Sequence, residues 1–427
     1  NNGVIRRAIG NAGNVVVGAN SLDTTEFLQG SGSLTLDDFS SIATSTAGRG
    51  DGGNILIAVA GDIEINNSST IRGTVEQLGI GNGGNISVFG RSLSLLNGGQ
   101  IQAGIFRAEF DPTGAITIPG GFAPNGAGNI EITTTDFVNI AGVGNQASGL
   151  FVSTEEGAFG DAGSITVNTQ TLSLANLGVI TAVTRNLSNA GDINLNVTDR
   201  LSFQNRASVV VSGTNPQNLS DTNIGNPGNI NINAGEIVFF GSRSGIRATT
   251  ASADQANRAN INLNVAGSIL LLPLGGQISQ NNEITAEAFN QGAGGNISIN
   301  ALAVLTNLGD NNDVVANAFG GNGGNITGNI AIVRLFRQFD QTIGRTIQSD
   351  FIASSELGID GTVSVQTQNL TEFPVLPANL VDRSSLISQG CKPGAREIAG
   401  EFTVTGRGGL PTRQRNHPGR LGCPGRK

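Results

Sequence analysis

The amino-acid sequence predicts an all-β protein, a right-handed single-stranded parallel β-helix of about eleven coils with an irregular C-terminal tail. A four-residue step recurs along the chain, and three short alternating runs follow each copy of it. Gly accounts for 63 of 427 residues, about twice its usual share. The organisation that follows is a β-helix over residues 1–370, a linker over residues 371–390 and a basic, poorly ordered tail over residues 391–427.

The recurring step consists of a small residue, a Gly, a polar residue and an apolar residue. Successive polar positions lie 28 to 44 residues apart, so we expect insertions of variable length to sit in loops. Gly and Asn are expected at a corner of the coil because both tolerate positive φ, and stacked Asn side chains can hydrogen-bond along the axis. The predicted corner ladder comprises Asn14, Asn54, Asn85, Asn129, Ser164, Asp192, Asn229, Asn260, Asn296 and Asn325, with a degraded copy at Thr362.

Three runs of alternating apolar and polar residues follow each step, as in Ile86-Ser87-Val88, Leu93-Ser94-Leu95 and Ile101-Gln102-Ala103. A period of two predicts strands with one buried face. Strands this short do not form a stable hairpin sheet alone, but stacking each on its equivalent in the next coil buries Ile, Leu and Val as ladders. An antiparallel sandwich is the rival fold, although it predicts no single recurring corner motif.

Composition excludes most catalytic classes from the body of the chain. Residues 1–390 contain no His, Lys, Cys or Tyr. A Ser-His-Asp triad, a Schiff-base lysine, a cysteine nucleophile, a His-ligated metal and a P-loop lysine are therefore unavailable there. The adjacent acidic pairs Asp37-Asp38 and Glu155-Glu156 fall short of the roughly six oxygen ligands that calcium needs. We expect no catalytic residue, no cofactor and no metal.

Some parallel β-helices cleave polysaccharides, so a carbohydrate-active enzyme is a less favoured alternative. Such an enzyme needs two carboxylates about 5–9.5 Å apart on one face. The sequence has no recurring Asp-Asp and His-Gly signature, and it lacks the Trp and Tyr side chains on which sugars commonly stack.

Charge divides the chain into two parts. Residues 391–427 carry a balance of +6, and the remaining residues carry −14, which sum to the net charge of −8. An acidic body without Trp or Tyr predicts no nucleic-acid partner. No apolar run approaches the roughly 18 residues of a membrane-spanning helix, so no transmembrane segment is expected. A start at Asn1-Asn2-Gly3 without an initiator Met indicates a fragment or a processed product.

Long insertions are the preferred places for binding, because loops on a rigid scaffold tolerate variation. The candidate ligand-facing residues are Phe106, Phe110 and Phe122 in the first long insertion, and Arg334, Arg337 and Phe339 in the last. Two alternatives remain open: the Phe side chains cover the flank of the coil stack, or residues 333–347 form a short amphipathic helix that caps it.

Three further features have plain explanations. Arg49-Gly50-Asp51 spells an integrin-binding tripeptide, but it occupies the Gly-rich corner of a repeat. Sequons at Asn85, Asn296 and Asn325 coincide with the predicted ladder, which explains these Asn residues better than glycan attachment. Cys391 and Cys423 bracket the basic tail, and whether they pair is left open.

The repeats resemble those of cyanobacterial filamentous-haemagglutinin-like exoproteins. The pattern GNIxI…LxLxNxG…IxA covers about residues 11–370, and residues 380–411 resemble the C-terminal segment common in that group. The resemblance implies an adhesin-like rod, extracellular or on the outer cell surface, that attaches to cells, surfaces or polysaccharide. It also implies export through an outer-membrane two-partner-secretion transporter, by way of an N-terminal secretion domain missing from this chain. A purely structural surface-layer or matrix component is the alternative.

Overall fold

The computed structural model describes residues 9–19, 31–214, 225–272, 281–307, 310–334, 336 and 348–367. These residues form strands and turns, with no α-helix among them. Each repeat returns the chain to an equivalent position, where its strands pair in parallel with those of the next repeat. The predicted all-β parallel β-helix is confirmed. The predicted linker and tail, with Cys391 and Cys423, lie outside the described residues.

The larger sheet contains thirteen strands, eleven of which begin at the recurring corner step. In order, these eleven are Val15–Val17, Ile55–Ala58, Ile86–Leu96, Ile130–Ala141, Ile165–Ala175, Ile193–Gln204, Ile230–Phe240, Ile261–Leu272, Ile297–Thr306, Ile326–Arg334 and Val363–Gln366. In the first coils the second run is a separate strand, Leu34–Leu36 or Asp62–Ile65. Eleven stacked strands agree with the predicted number of coils.

The second sheet contains ten strands, one from each coil along its path. They are Ser41–Ala43, Thr70–Arg72, Gln100–Ile105, Ser148–Thr154, Gly178–Thr184, Ser208–Gly213, Gly245–Thr250, Glu283–Ala288, Asp313–Val315 and Phe351–Ile352. A two-stranded antiparallel hairpin, Glu109–Phe110 with Ile116–Ile118, projects from the third coil. The long insertion predicted there is therefore an ordered excursion from the stack.

In the middle coils, the first two predicted runs of each repeat merge into one strand. Ile130–Ala141 pairs with both neighbours over its length, and its register shifts between Thr133 and Phe137. The polar residues between the runs stay extended, and the irregularity bends the strand without ending it. The two alternating runs are therefore the two halves of one bent strand, where we predicted two separate strands.

The interior is a set of apolar columns, because the parallel register places each inward residue on its equivalent in the next coil. Ile86, Ile130 and Ile165 are aligned in this way, and each is almost fully buried. Phe203 stacks on Phe239 inside the core, with ring centroids 4.5 Å apart. Each such burial contributes about 1.5–3 kcal/mol, so the stack is stabilised without help from helices.

The Gly of the corner step is needed for a reason that differs from the predicted one, except at Gly228, which has a φ of 77°. Neither Gly84 nor Gly128 has a positive φ. A Cβ on Gly84 would lie 1.9 Å from the carbonyl oxygen of Gly53, and one on Gly128 would lie 1.9 Å from that of Gly84. Positive φ occurs instead at the next corner, at Asn97 with 49° and Asn176 with 48°. The corner Gly residues therefore permit close approach of successive coils.

We predict that Gly128→Ala lowers the free energy of unfolding by about 2 kcal/mol or more, because the added methyl group overlaps backbone of the preceding coil. Gly13→Ala is the matched control, since a Cβ at the same position of the first coil would have no described atom within 4 Å. We expect that control to change stability by less than about 0.5 kcal/mol. Urea denaturation measures both, and equal effects would contradict the explanation.

Candidate functional site

The ten predicted ladder residues form one continuous column of hydrogen bonds. The side-chain oxygen of each accepts from the backbone N–H of the next member, ending at Thr362, over 2.7 to 3.4 Å. The bonds thus run mainly from backbone to side chain, where we predicted bonds between amides. Amide-to-side-chain bonds are added where Asn229 donates to Asp192 and Asn260 donates to Asn229.

The ladder needs only an oxygen acceptor on a short side chain, which is why three residue types serve in it. Ser164 Oγ accepts from the N–H of Asp192 at 3.1 Å, and Asp192 Oδ1 accepts from the N–H of Asn229 at 2.7 Å. Each bond satisfies a backbone donor at a corner where the chain turns between strands. The column therefore holds successive coils in register.

A second polar column, which we did not predict from the sequence, consists of residues that shortly precede the ladder residues. Asn82 Oδ1 accepts from the N–H of Asn125, and Asp161 Oδ1 accepts from the N–H of Asn189. Asp51 of the Arg-Gly-Asp tripeptide belongs to this column, because its Oδ1 accepts both the N–H and the amide of Asn82. The signal was present as a polar residue three or four positions before every ladder residue except Asn296.

The candidate ligand-facing residues that the structure describes do not form one site. Phe106 is half-buried and lines a cavity of about 270 Å³ with Gln102 and Arg107. Phe110 is half-buried on the hairpin of the third coil, whereas Arg334 is exposed at the end of a strand in the tenth coil.

The last insertion is described only in part. Arg337 and Phe339 lie outside the described residues. Val333 and Arg334 belong to the strand Ile326–Arg334, so a helix does not begin at residue 333. Phe336 packs on the core, with its ring centroid 4.8 Å from that of Phe351. This placement agrees with the alternative in which Phe side chains cover the coil stack.

Phe122 is exposed and belongs to a column of corner residues, here called the apolar corner, in which every described member except Arg49 is apolar. Parallel bridges connect Ile9, Arg49, Ile80, Phe122 and Phe159 from coil to coil. The rings of Phe122 and Phe159 stack with centroids 4.8 Å apart, and the residues are 43% and 53% exposed. Contiguous exposed apolar surface is common where proteins associate with other molecules.

The described acidic residues are not clustered in a way that would hold a metal ion. No group of three or more His, Cys, Asp or Glu in the described ranges is placed to hold a metal ion. The Thr113 hydroxyl, with the N–H of Ala115, lowers the pKa of Asp111, while burial raises the pKa of Asp310. These two carboxyl groups lie on different coils and do not form an acid–base pair.

The two adjacent acidic pairs each supply a contact between coils. Asp37 Oδ1 accepts from the amide of Asn67 at 2.8 Å. Glu155 forms an ion pair with Arg185 of the next coil. Both contacts are of the kind that holds stacked coils together.

Comparison of the chain with known protein families, curated proteins and solved structures finds no match. Within the described ranges there is also no helix long and apolar enough to cross a membrane.

We predict that Asn129→Ala lowers the free energy of unfolding by about 1 kcal/mol, because the N–H of Ser164 loses its acceptor at 2.8 Å. Asn129→Asp and Asn129→Ser keep an oxygen at this position, as Asp192 and Ser164 do elsewhere in the column. We expect both to stay close to wild type in urea denaturation. Equal losses for all three variants would show that the oxygen is not what the position requires.

Proposed function

We propose that the protein is a non-enzymatic, adhesin-like rod at the cell surface or outside the cell, where it attaches to cells, surfaces or polysaccharide. The resemblance to haemagglutinin-like exoproteins suggested this function, and the parallel β-helix supports it. Export by two-partner secretion, with an outer-membrane transporter as partner, belongs to the same proposal.

The observation that carries the proposal is the periodicity of the exterior. Equivalent positions recur in successive coils, spaced by the roughly 4.8 Å between paired strands. Weak binding groups of one kind are thereby held at a fixed interval along one face. Simultaneous engagement of several such groups raises avidity well above the affinity of any one of them.

The second candidate is a structural layer or matrix component that assembles from copies of this chain. The apolar corner favours it, because Phe122 and Phe159 are exposed side by side along the coil axis. The stacked pair Phe122 and Phe159 of one copy matches in spacing the same pair on a second copy. Self-complementary contacts of this kind are typical of homo-oligomers.

Deletion and complementation test the adhesin proposal. We expect the deletion of this protein from its source strain to reduce attachment to cells or polysaccharide-coated surfaces, and complementation to restore it. Beads coated with the purified chain should attach to the same surfaces, while beads coated with the heat-unfolded chain should not. Undiminished attachment by the deletion strain, together with no attachment by the coated beads, would rule out the proposal.

Sedimentation velocity separates the second candidate from the first. If copies assemble through the apolar corner, the double variant Phe122→Ser, Phe159→Ser remains monomeric at concentrations where the wild type associates. Both side chains are exposed, so we expect folding to be retained. A wild-type chain that stays monomeric while it adheres would exclude the structural-layer function.

A further inference from the structure

A flat face of the larger sheet presents asparagine side chains in two parallel columns, here called the asparagine face. Asn194, Asn231 and Asn262 form one column, and Asn196, Asn233 and Asn264 form the other. The second column begins at Asn168 and continues to Asn300 and Asn329. All of these residues alternate with the buried Ile and Leu of their strands, so their amides point away from the core.

The side chains within each column hydrogen-bond to one another, and they keep further donors and acceptors that a ligand can use. Asn233 donates from Nδ2 to Asn196 at 2.9 Å, and Asn264 donates to Asn233 at 3.3 Å. In the other column, Asn231 donates to Asn194 at 2.9 Å and Asn262 donates to Asn231 at 2.8 Å. An amide has two donors and two acceptor sites. Each inner member therefore retains one N–H and one acceptor site, held at a fixed orientation by its neighbours.

A groove runs beside the second column at the bend of the strands. It has a volume of about 320 Å³ and spans three coils. Asn196, Asn233 and Asn264 line it, and its apolar strip consists of the exposed Ala266 with the almost fully buried Val197 and Ala234 at its base. None of its lining residues is charged. The groove combines a narrow apolar strip with a row of oriented amides.

We propose that the asparagine face and its groove bind an uncharged polysaccharide chain lying along the coil axis. Sugar hydroxyl groups would exchange hydrogen bonds with the free amide positions, and the C–H faces of the sugars would cover the apolar strip. This inference rests on the proposed adhesin function and names the ligand class for it.

Other ligand classes fit the surface less well. A charged polymer would find no counter-charge along the groove, since its lining is neutral. A purely apolar ligand would leave the ordered amides buried without partners, which opposes its binding. A polyhydroxylated, neutral chain satisfies both the amides and the apolar strip.

Binding of the full chain to immobilised dextran, amylose and galactomannan tests the proposal, with alginate as the acidic comparison. We expect at least one uncharged polysaccharide to bind more tightly than alginate. Ala266→Arg places a long side chain at the groove without altering a ladder residue, and we expect it to weaken that binding at least about tenfold. Ala115→Arg makes the same change on the exposed hairpin of the third coil and should bind as wild type does.

Asn233→Thr is the second groove variant, chosen because Thr suits an exposed strand position but lacks the amide. It should also weaken binding while circular dichroism retains the β signal. Undiminished binding in both groove variants would overturn the proposal, as would alginate binding equal to that of the neutral polysaccharides. Attachment to cells without binding of any uncharged polysaccharide would overturn this inference while leaving the adhesin function standing. Failure to attach to any surface would remove both.

Discussion

The parallel backbone hydrogen bonds between coils impose one constraint on the whole structure: equivalent residues must stack at about 4.8 Å. The inward Ile, Leu and Val positions then form apolar columns, as Ile86, Ile130 and Ile165 do, and the buried Thr154 stacks on Thr184 in the same way. Every corner brings backbone onto backbone, so that Gly84 and Gly128 leave no room for a side chain. The polar column that begins at Asn14 satisfies the N–H groups which these corners would otherwise leave without a protein partner. Core, corner and ladder are therefore three consequences of one spacing.

The same spacing explains the exterior. Like charges stacked at this distance repel one another, so a coil-on-coil surface favours neutral residues or alternating charges. Charged residues make up only 13% of the chain. Arg185 pairs with Glu155 and Arg200 with Glu236 between neighbouring coils, whereas Glu283 stacks on the like-charged Asp313. Asparagine suits the remaining positions because an amide bonds to an identical amide above and below it. A neutral, hydrogen-bonding surface of this kind is suited to ligands that are themselves neutral and rich in hydroxyl groups.

Much of the fold was predictable from the sequence, because the stacking constraint repeats the same residue types at each position. The corner motif alone predicts one column that contains both Asn129 and Ser164. The reason for the Gly residues was not predictable. A close approach of two backbones and a positive φ both select Gly, so the sequence does not distinguish between them. The outward column that contains Asn233 was not predicted, because the alternation of apolar and polar residues identifies only which face of a strand is buried. Phe106 could not be placed, because the path of an insertion depends on packing that no repeat dictates.

Pulsed electron paramagnetic resonance between spin labels at Ser87 and Ser298 tests the central claim most directly, with both native Cys residues replaced by Ser. Six consecutive strand pairings connect these two positions. Stacking at about 4.8 Å per coil predicts a narrow distance distribution near 29 Å. A label moved from Ser298 to Asn231, four pairings from Ser87, should shorten the distance to about 19 Å. A broad distribution, or a distance that does not scale with the number of coils, would contradict the coil-on-coil architecture.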